Sequence, residues 1–366
     1  MAWTDRYVDA SASGSGTGTS PADPWTLAEA VSNSTGGMRV NFKAGTYGYS
    51  SDLNTSATTS LSSPLWWRGY KTTAGDLDSK PVEDLVDATD LPLLESTNKY
   101  IQLGQSYTHL TGLSFRQNGN GRPAIFDRRG KSLTKNCRFH STYTSSTPQA
   151  VIHNQTQDAI MYLNCDIIQD STAATQAFAY TRGYSQFYGC RFKGAGSGTS
   201  ASAAYSMHFH RCVFDSMNIG VQLSQPSTLF GNVFYNTTDD AIYYNSTNSN
   251  GSSVVGNVFH SVGGYCIGGV SDNTGFLISN NSYYNSSNKF EFIPENLEFD
   301  AVAESSDPFT DAANGDFSLV LGASSYGDGY GLMLGTSSTD YSDIGAIQHQ
   351  DPSGGGGSTV HPLYAN

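Results

Sequence analysis

Large apolar residues recur through the middle of the chain at intervals of 20 to 28 residues, and polar, turn-forming residues separate them. Each closes a short segment such as CRF, CVF or NVF. The closing residues are Phe115, Phe139, Ile167, Phe192, Phe214, Phe234, Phe259 and Tyr283. A β-rich unit of this length cannot bury its apolar face alone and must stack on the next unit. The pattern therefore predicts an all-β solenoid with one repeat in each coil.

A second column lies two positions before the closing residues, and it changes from cysteine to asparagine along the chain. Its members are Cys137, Cys165, Cys190, Cys212, Asn232, Asn257 and Asn281. Parallel strands about 4.8 Å apart place like side chains of successive coils in ladders. A buried thiol packs well at such a site, and an asparagine amide bonds from coil to coil. We therefore predict a buried structural ladder of reduced cysteines and hydrogen-bonded asparagines.

A third, apolar column stands three positions before the ladder. It consists of Phe187, Phe209, Leu229, Val254 and Ile278. Strand side chains alternate between faces, so two inward columns three positions apart require a break in the alternation. We therefore predict a tight turn just before each ladder residue, at Gly189, Arg211, Gly231, Gly256 and Asn280.

The chain divides by composition into five regions. The predicted regions are an N-terminal cap (1–50), early coils with an insertion (51–97), regular coils (98–292), a C-terminal cap (293–350) and a Gly-rich linker with a tail (351–366). Within the N-terminal cap we expect strands at 6–10 and 38–47. Between them we expect a short helix with Asp23 as N-cap, Pro24 at its first position, and Leu27 and Val31 facing inward. Such a helix would close the open end of the solenoid.

Composition and charge restrict the partners. Charged residues make up only 14% of the chain, the net charge is −13 and the pI is near 4.8. This charge disfavours a nucleic-acid backbone or an anionic membrane as partner. The sequence shows neither a leader pattern at its start nor an apolar run of membrane-spanning length, so we expect no membrane insertion.

The five cysteines suggest neither disulfides nor zinc. Four of them share the ladder column, where free buried thiols are expected, and Cys266 lies in a different strand. Their spacing matches no zinc motif, so we predict no structural metal and no cofactor.

Several segments together resemble a known group of proteins. They are the opening YVDASASGSGTGTSPADPWTLAEAV, the FKAGTY strand, the GNVF and NCRF coil signatures, and the ending DPFTDAANGDFSL with DIGAIQ. These segments resemble right-handed parallel β-helix repeat proteins of the pectate-lyase-like superfamily. The resemblance implies the fold but leaves the activity open, because that superfamily contains lyases, hydrolases, epimerases, phage tailspikes and non-catalytic adhesins. Its lyases use an Arg or Lys base with Ca²⁺ held by acidic residues, and its hydrolases use clustered Asp pairs.

The best acidic candidate for catalysis is the pair Asp239 and Asp240 in YNTTDDAIYY. Two neighbouring carboxylates can form an acid/base pair if one raises the pKa of the other. However, Thr-Asp-Asp before a β run is also ordinary turn chemistry. Adjacent residues of an extended strand point to opposite faces, which argues against a shared site.

Aromatic and imidazole side chains form a candidate glycan-binding row. Asp215, Tyr235, His260 and Tyr284 each follow a closing residue and are expected to point outward in register. Rings repeated at about 5 Å suit shallow binding of sugar faces, although they could equally brace the coil edges. His208 and His210 also point outward together and could chelate a metal or be an ordinary surface pair.

Two main hypotheses follow. The first is a non-enzymatic structural or adhesive β-helix on the surface of a phage virion, as a head decoration, fibre or tailspike component with possible affinity for a cell-surface glycan. The second is a polysaccharide lyase or glycoside hydrolase, and a secreted bacterial adhesin is a further alternative. In the first hypothesis the terminal segments contact neighbouring virion subunits, and a homo-oligomer is possible. The tail 352–366 would then be a tether to such a subunit, although it could also be a frayed terminus.

Overall fold

A computed structural model describes most of the chain. The described residues are 2–55, 58–104, 106–119, 123–127, 130–142, 151–154, 158–170, 177–181, 184–195, 199–203, 206–246, 251–269, 276–286, 288–291, 298–321, 323–325 and 345–346. The tail, with Val360, Leu363 and Tyr364, lies outside them, as does most of the region after residue 325. No helix of the described part is long and apolar enough to cross a membrane.

The chain forms two compact units. Unit 1 contains Met1–Gln186 and Cys190–Tyr205, and unit 2 contains Phe187–Gly189 and Ser206–Asn366. Each unit consists of coils, and each coil contributes one strand to each of three parallel sheets. In each unit we call the sheet before the ladder turn sheet A, the sheet after it sheet B, and the third one sheet C.

Among the described residues, unit 1 contains eighteen complete strands and the start of one more. Its sheet A contains β1 Thr4–Val8, β2 Met38–Lys43, β5 Leu65–Tyr70, β8 Thr108–Thr111, β11 Ser132–Lys135, β14 Ile160–Leu163 and the start of β17 Ser185–Tyr188. Sheet B contains β3 Gly45–Gly48, β6 Pro92–Ser96, β9 Ser114–Gln117, β12 Arg138–Ser141, β15 Asp166–Gln169 and β18 Arg191–Lys193. Sheet C contains β4 Leu53–Thr55, β7 Ile101–Leu103, β10 Ile125–Asp127, β13 Ile152–Asn154, β16 Ala177–Thr181 and β19 Thr199–Ala203.

Unit 2 repeats this arrangement and adds an antiparallel hairpin. Its sheet A contains β20 Met207–His210, β23 Thr228–Phe230, β26 Ser253–Val255, β29 Leu277–Ser279 and β32 Glu298–Phe299. Sheet B contains β21 Val213–Asp215, β24 Val233–Tyr235, β27 Val258–His260, β30 Ser282–Tyr284 and β33 Val302–Ala303. Sheet C contains β22 Ile219–Leu223, β25 Ile242–Tyr244, β28 Tyr265–Gly269 and β31 Asn288–Phe290. The hairpin pairs β34 Phe309–Asp311 with β35 Asp316–Leu319.

Stacked aromatic rings fill the interior of both units. In unit 1 Phe115 lies on Phe139 with ring centroids 5.3 Å apart. In unit 2 the rings of Phe214, Phe234 and Phe259 stack at 4.6 and 5.2 Å. These closing residues are fully buried. The apolar period of the sequence is therefore the coil period of a parallel β-helix.

The predicted tight turn before the ladder is confirmed. All five predicted positions have positive φ: Gly189 (59°), Arg211 (53°), Gly231 (63°), Gly256 (67°) and Asn280 (52°). This left-handed conformation favours glycine and asparagine, which explains the composition of the column.

The ladder residues are buried and linked from coil to coil. All five cysteines of the chain are free and buried. Asn257 donates to the Leu229 carbonyl at 3.1 Å and to Asn281 Oδ1 at 3.1 Å. Its own Oδ1 accepts from the backbone and side-chain nitrogens of Asn232, both at 2.9 Å. Thiols replace the amide donor in unit 1, where Cys190 Sγ lies 3.5 Å from the Tyr162 carbonyl.

The N-terminal helix forms close to its predicted place but begins later. Helix α1 spans Leu27–Asn33, and its N-cap is Thr26 rather than Asp23. Thr26 and Glu29 form a capping box, with the Glu29 amide donating to Thr26 Oγ1 at 3.2 Å. Asp23 instead accepts from the Thr17 amide at 3.1 Å, so its carboxylate is used within the preceding loop. Leu27 and Val31 are buried, as predicted.

The strand predicted at 38–47 is two strands in different sheets. β2 ends at Lys43 and β3 begins at Gly45, where φ is 150°. The chain turns the corner from sheet A to sheet B at this point. The strand predicted at 6–10 is observed as β1, two residues earlier.

An insertion in unit 1 is fastened to sheet B by an arginine. Its apolar side chains, Leu77, Val82, Leu85 and Leu91, form a small core of their own. Arg138 donates to the Val82 carbonyl at 2.8 Å and to the Leu85 carbonyl at 3.0 Å. The same guanidinium lies 3.1 Å from Asp87 and 3.3 Å from Asp166. Arg138 is therefore used for structure, although it stands on an outer sheet face.

We expect Asn257→Leu to lower the free energy of unfolding by about 1–3 kcal/mol, because four buried partner atoms each lose one hydrogen bond. Urea-induced unfolding of the variant measures the loss. Asn288→Leu is the control, since Asn288 is exposed at the start of β31. A loss no larger than that of the control would contradict the structural role of the ladder.

Candidate functional site

Four residues form an in-register row on the outer face of sheet C in unit 2. Gln222 pairs with Tyr243, and Tyr243 pairs with Gly268. Glu291 continues the row, because it follows Phe290, the partner of Ile267. Gln222 and Tyr243 are half-buried and Glu291 is exposed, while the neighbouring Ile267 faces the core. An amide and a phenol are thus presented on two successive coils, and a carboxylate is presented two coils after the phenol.

Asp240 fills the position that a side chain at residue 268 would take. Its Oδ1 accepts from the Tyr265 amide at 2.8 Å. A Cβ on Gly268 would lie 2.2 Å from Asp240 Oδ2, so a larger residue there would displace the Asp240 carboxyl. A second carboxyl therefore joins the row beside Tyr243 and Glu291. Glu291 Oε2 accepts from the Gly269 amide at 2.8 Å, so both carboxyls meet the same glycine pair. We call Gln222, Asp240, Tyr243 and Glu291 the Asp240 row.

The two aspartates predicted as a catalytic pair lie side by side. A Cβ on Gly264 would be 2.6 Å from Asp240 Oδ1 and 2.9 Å from Asp239 Oδ1. The argument that adjacent residues face opposite sides does not apply, because β25 begins only at Ile242 and residues 239–240 precede it. Their environments differ, since Asp240 is 7% exposed and Asp239 is an exposed residue.

Burial gives Asp240 unusual acid–base properties. Its pKa is raised, chiefly because burial disfavours the charged form. The negative charges of Asp239 and Glu291 raise the pKa of Asp240 further, and the bond from the Tyr265 amide opposes the shift. A buried carboxyl with a raised pKa beside a second carboxyl is the arrangement used for acid/base chemistry on glycosidic bonds.

The Ca²⁺ that the family resemblance implies does not fit these residues. Calcium takes six to eight oxygen ligands, several of them carboxylates. Among the described residues, no group of three His, Cys, Asp or Glu side chains has the geometry to hold a metal ion. We therefore assign no metal-dependent step to the Asp240 row.

The glycan-binding row predicted from sequence needs correction, because it is largely covered. His260 and Asp215 are only 5% and 6% exposed. The C-terminal hairpin lies over this outer face of sheet B: Phe309 stacks on His260 at 5.4 Å, and Phe317 meets Tyr235 at 5.3 Å. The outer valines Val213, Val233 and Val258 join the same apolar cluster. Tyr284 is half-buried, and its ring lies 4.8 Å from that of His260 at a tilt of 47°.

His208 and His210 lie on the outer face of sheet A in unit 2. The His210 ring stacks on Tyr188 at 4.7 Å, and Phe230 lies 6.0 Å away on the other side. The pKa of His210 is lowered to about 4, mainly by burial and then by the charges of His208 and Arg211. Both imidazoles have lowered pKa values, so both histidines are uncharged at neutral pH.

The sequence prediction missed Gln222, Tyr243 and Glu291. The signal was present, because Gln222, Tyr243, Gly268 and Glu291 are separated by 21, 25 and 23 residues, which is the coil period. The pattern was not recognised because the columns were counted from the ladder residues. These residues lie at the turn between sheets A and B and therefore do not locate the strands of sheet C. Gly268 also carries no side chain that would mark the row.

Comparisons with known proteins agree on the fold. A solved structure of pectate lyase Pel9A matches with a TM-score of 0.64 and 12% identity, over 94% of this chain and 96% of that one. A rhamnogalacturonan lyase matches with a TM-score of 0.53 and 11% identity, over 87% and 95%. No protein-family model and no curated protein matches the sequence. The predicted all-β parallel β-helix fold is confirmed.

The stability of unit 2 should fall as the pH drops below about 6.5, partly through His260. Burial lowers the pKa of His260 below 6.5, although the Asp307 carboxylate, 3.2 Å away, opposes the shift. The unfolded chain therefore takes up a proton at His260 before the folded chain does. The stabilisation is complete above the unfolded pKa and is lost as the pH falls towards the folded value.

Thermal unfolding of wild type and His260→Phe at several pH values tests this effect. Phenylalanine keeps the ring between Tyr235 and Phe309 but cannot be protonated. We expect a smaller loss of Tm on acidification in the variant, while the other histidines titrate equally in both proteins. Parallel Tm curves for the two proteins would show that His260 is not responsible.

Proposed function

We propose that the protein is a non-enzymatic glycan-binding β-helix and that the Asp240 row is its sugar site. One observation carries the proposal: a side-chain amide, a phenol and a carboxyl stand in register on one outer sheet face, and the Asp240 carboxyl lies beside the glycine of the same row. Planar polar groups of this kind donate to and accept from sugar hydroxyls, and a tyrosine ring packs against sugar C–H groups. The fold supports the proposal, since two of the matching solved structures are by name a pectate lyase and a rhamnogalacturonan lyase.

The charge of the row selects the class of glycan. Asp240, Glu291 and the exposed Asp239 lie together in a chain with a net charge of −13. An anionic polymer would be repelled there, because carboxylates of ligand and protein would be desolvated together. We therefore propose a neutral glycan rather than a polyuronate.

A second candidate function is hydrolysis of that glycan, and the raised pKa of Asp240 favours it. In this reaction Asp240 would protonate the leaving glycosidic oxygen. Glu291 would activate a water molecule or attack the sugar carbon. The two functions share one site and differ only in whether a bond is broken.

Location and partners are proposed from the sequence resemblance. We place the protein on the surface of a phage particle or, alternatively, outside a bacterial cell. Terminal segments would contact neighbouring virion subunits, and the glycan would belong to a cell surface. The fold is compatible with these roles and with many others.

A glycan array with the full-length protein tests the proposed site. We expect binding to a neutral glycan, and about a tenfold or greater loss of affinity in Glu291→Gln and Tyr243→Ala, because each removes a direct contact. Asp300→Asn is the control: Asp300 is an exposed carboxylate of the same unit with a positive φ that asparagine accepts. Binding that is equal in all of these variants would refute the site.

The same glycan distinguishes binding from hydrolysis. If the protein is non-enzymatic, prolonged incubation releases no reducing ends above background. Release that falls about 100-fold or more in Asp240→Asn would instead establish the hydrolase function.

Deletion of 352–366 tests the proposed attachment to a particle. We expect an unchanged Tm, because a Gly-rich segment followed by a short apolar peptide adds no core. Incorporation into particles should be lost. Normal incorporation would show that the tail is a passive terminus.

A further inference from the structure

A polar groove lies on the outer face of sheet A at the start of unit 1. It is an open depression with a volume of about 480 Å³, and its walls include Asp5, Tyr7, Arg39, Lys43, Arg68 and Thr73. A second cavity of about 390 Å³ adjoins it at Pro21 and is lined by the Gly/Ser-rich loop 11–16 and by 22–24. Volumes of this size are typical of small-molecule sites. We call the first cavity the N-terminal groove.

Strand register assembles the groove from alternate residues. Asp5 pairs with Arg39, and Tyr7 pairs with Asn41 across β1 and β2. Asn41 pairs in turn with Arg68, and Lys43 pairs with Tyr70 across β2 and β5. Every second residue of these strands faces outward, so the polar side chains form one patch while Val40 and Phe42 enter the core.

Each cation of the groove already has a carboxylate partner. Arg39 lies 2.7 Å from Asp5, and Lys43 lies 3.0 Å from Asp9. Arg68 lies 3.1 Å from Asp78 and donates to Asn41 Oδ1 at 2.8 Å. The groove therefore offers donors and acceptors side by side with little net charge. A free anion would compete with these carboxylates, whereas a polyol both donates and accepts hydrogen bonds.

A tyrosine supplies the apolar wall. Tyr7 is half-buried, and its ring meets Tyr70 edge to face at 6.4 Å and 89°. Burial and the nearby charge of Asp9 raise the pKa of Tyr70 to about 12, so its phenol stays neutral. An aromatic ring beside paired polar groups suits a sugar, which has apolar C–H faces and hydroxyl edges.

We propose that the N-terminal groove is a second saccharide site, which binds an uncharged sugar of one or two units. Lys43 is its main adjustable donor, because its amine has three N–H groups, one of which bonds to Asp9, and its side chain is 49% exposed. Thr73 contributes a hydroxyl, and Tyr7 contributes the ring. The site belongs to unit 1 and is independent of the Asp240 row.

The chain contains a closely matched control for Lys43. Lys71 also pairs with an aspartate, Asp90, at 2.5 Å. The exposed fractions of the two lysine side chains are 49% and 48%, and those of both aspartates are 17%. Lys71 is not among the residues that line the groove. Replacing either lysine by methionine removes the same charge and the same kind of ion pair.

Titration calorimetry and saturation-transfer NMR on the full chain test the proposal. The probes are the methyl glycosides of glucose, galactose, mannose and N-acetylglucosamine, the corresponding β-linked disaccharides, and glucuronate as the anionic comparison. We expect at least one uncharged probe to bind. Lys43→Met and Tyr7→Leu should each weaken that binding about tenfold or more, and Lys71→Met should leave it unchanged.

Each other outcome overturns the proposal. No binding of any uncharged probe, binding of glucuronate alone, or equal losses in Lys43→Met and Lys71→Met would each exclude a neutral saccharide site. Unchanged Tm values in the variants ensure that folding is not the cause. Asp240→Asn should retain binding in the groove, so failure here and failure at the Asp240 row are distinguishable.

Discussion

The hydrogen bonds between successive ladder residues fix the register on which the rest of the structure depends. Each asparagine donates to the carbonyl three positions before the preceding ladder residue, as Asn232 does to Phe209 at 3.1 Å. Cys165 and Cys190 reach the equivalent carbonyls at 3.7 and 3.5 Å. A shift by one residue would leave these buried groups unpaired and turn every outer side chain inward. The ladder thus determines which polar residues meet on each outer face.

Because the register is fixed, residues one coil apart in the sequence form rows on the outer sheet faces. The segments that lie outside the coils determine which of these rows remain exposed to solvent. The insertion of unit 1 uses Arg138 as an anchor, and the C-terminal hairpin of unit 2 covers His260 with Phe309. Rows that are covered in this way are not accessible to ligands. The Asp240 row and the N-terminal groove are built from the same period, and they retain half-exposed polar side chains.

Features that repeat in every coil could be predicted from the sequence. It predicted the parallel β-helix and the tight turn before the ladder, because each depends on residues one coil apart. The helix cap was predicted at Asp23 because the local helix pattern does not reveal that Thr17, in the preceding loop, binds the Asp23 carboxylate. An open row was expected at Tyr235 and His260 because no period reveals a hairpin that folds back from residues 309–319. Tertiary coverage therefore limits prediction of the site more than prediction of the fold.

Burial also separates side chains of the same type into different chemical roles. Asp239 and Asp240 are neighbours, yet burial raises the pKa of Asp240 because its carboxyl lies over Gly268. Because Gly268 has no side chain, the Asp240 carboxyl occupies the space beside it and is partly desolvated on an otherwise solvated face. In the N-terminal groove the carboxylates are instead paired with arginine or lysine, as Asp5 is with Arg39, and the pKa of Asp5 is lowered. One face therefore suits a proton donor, and the other suits a neutral ligand held by paired charges.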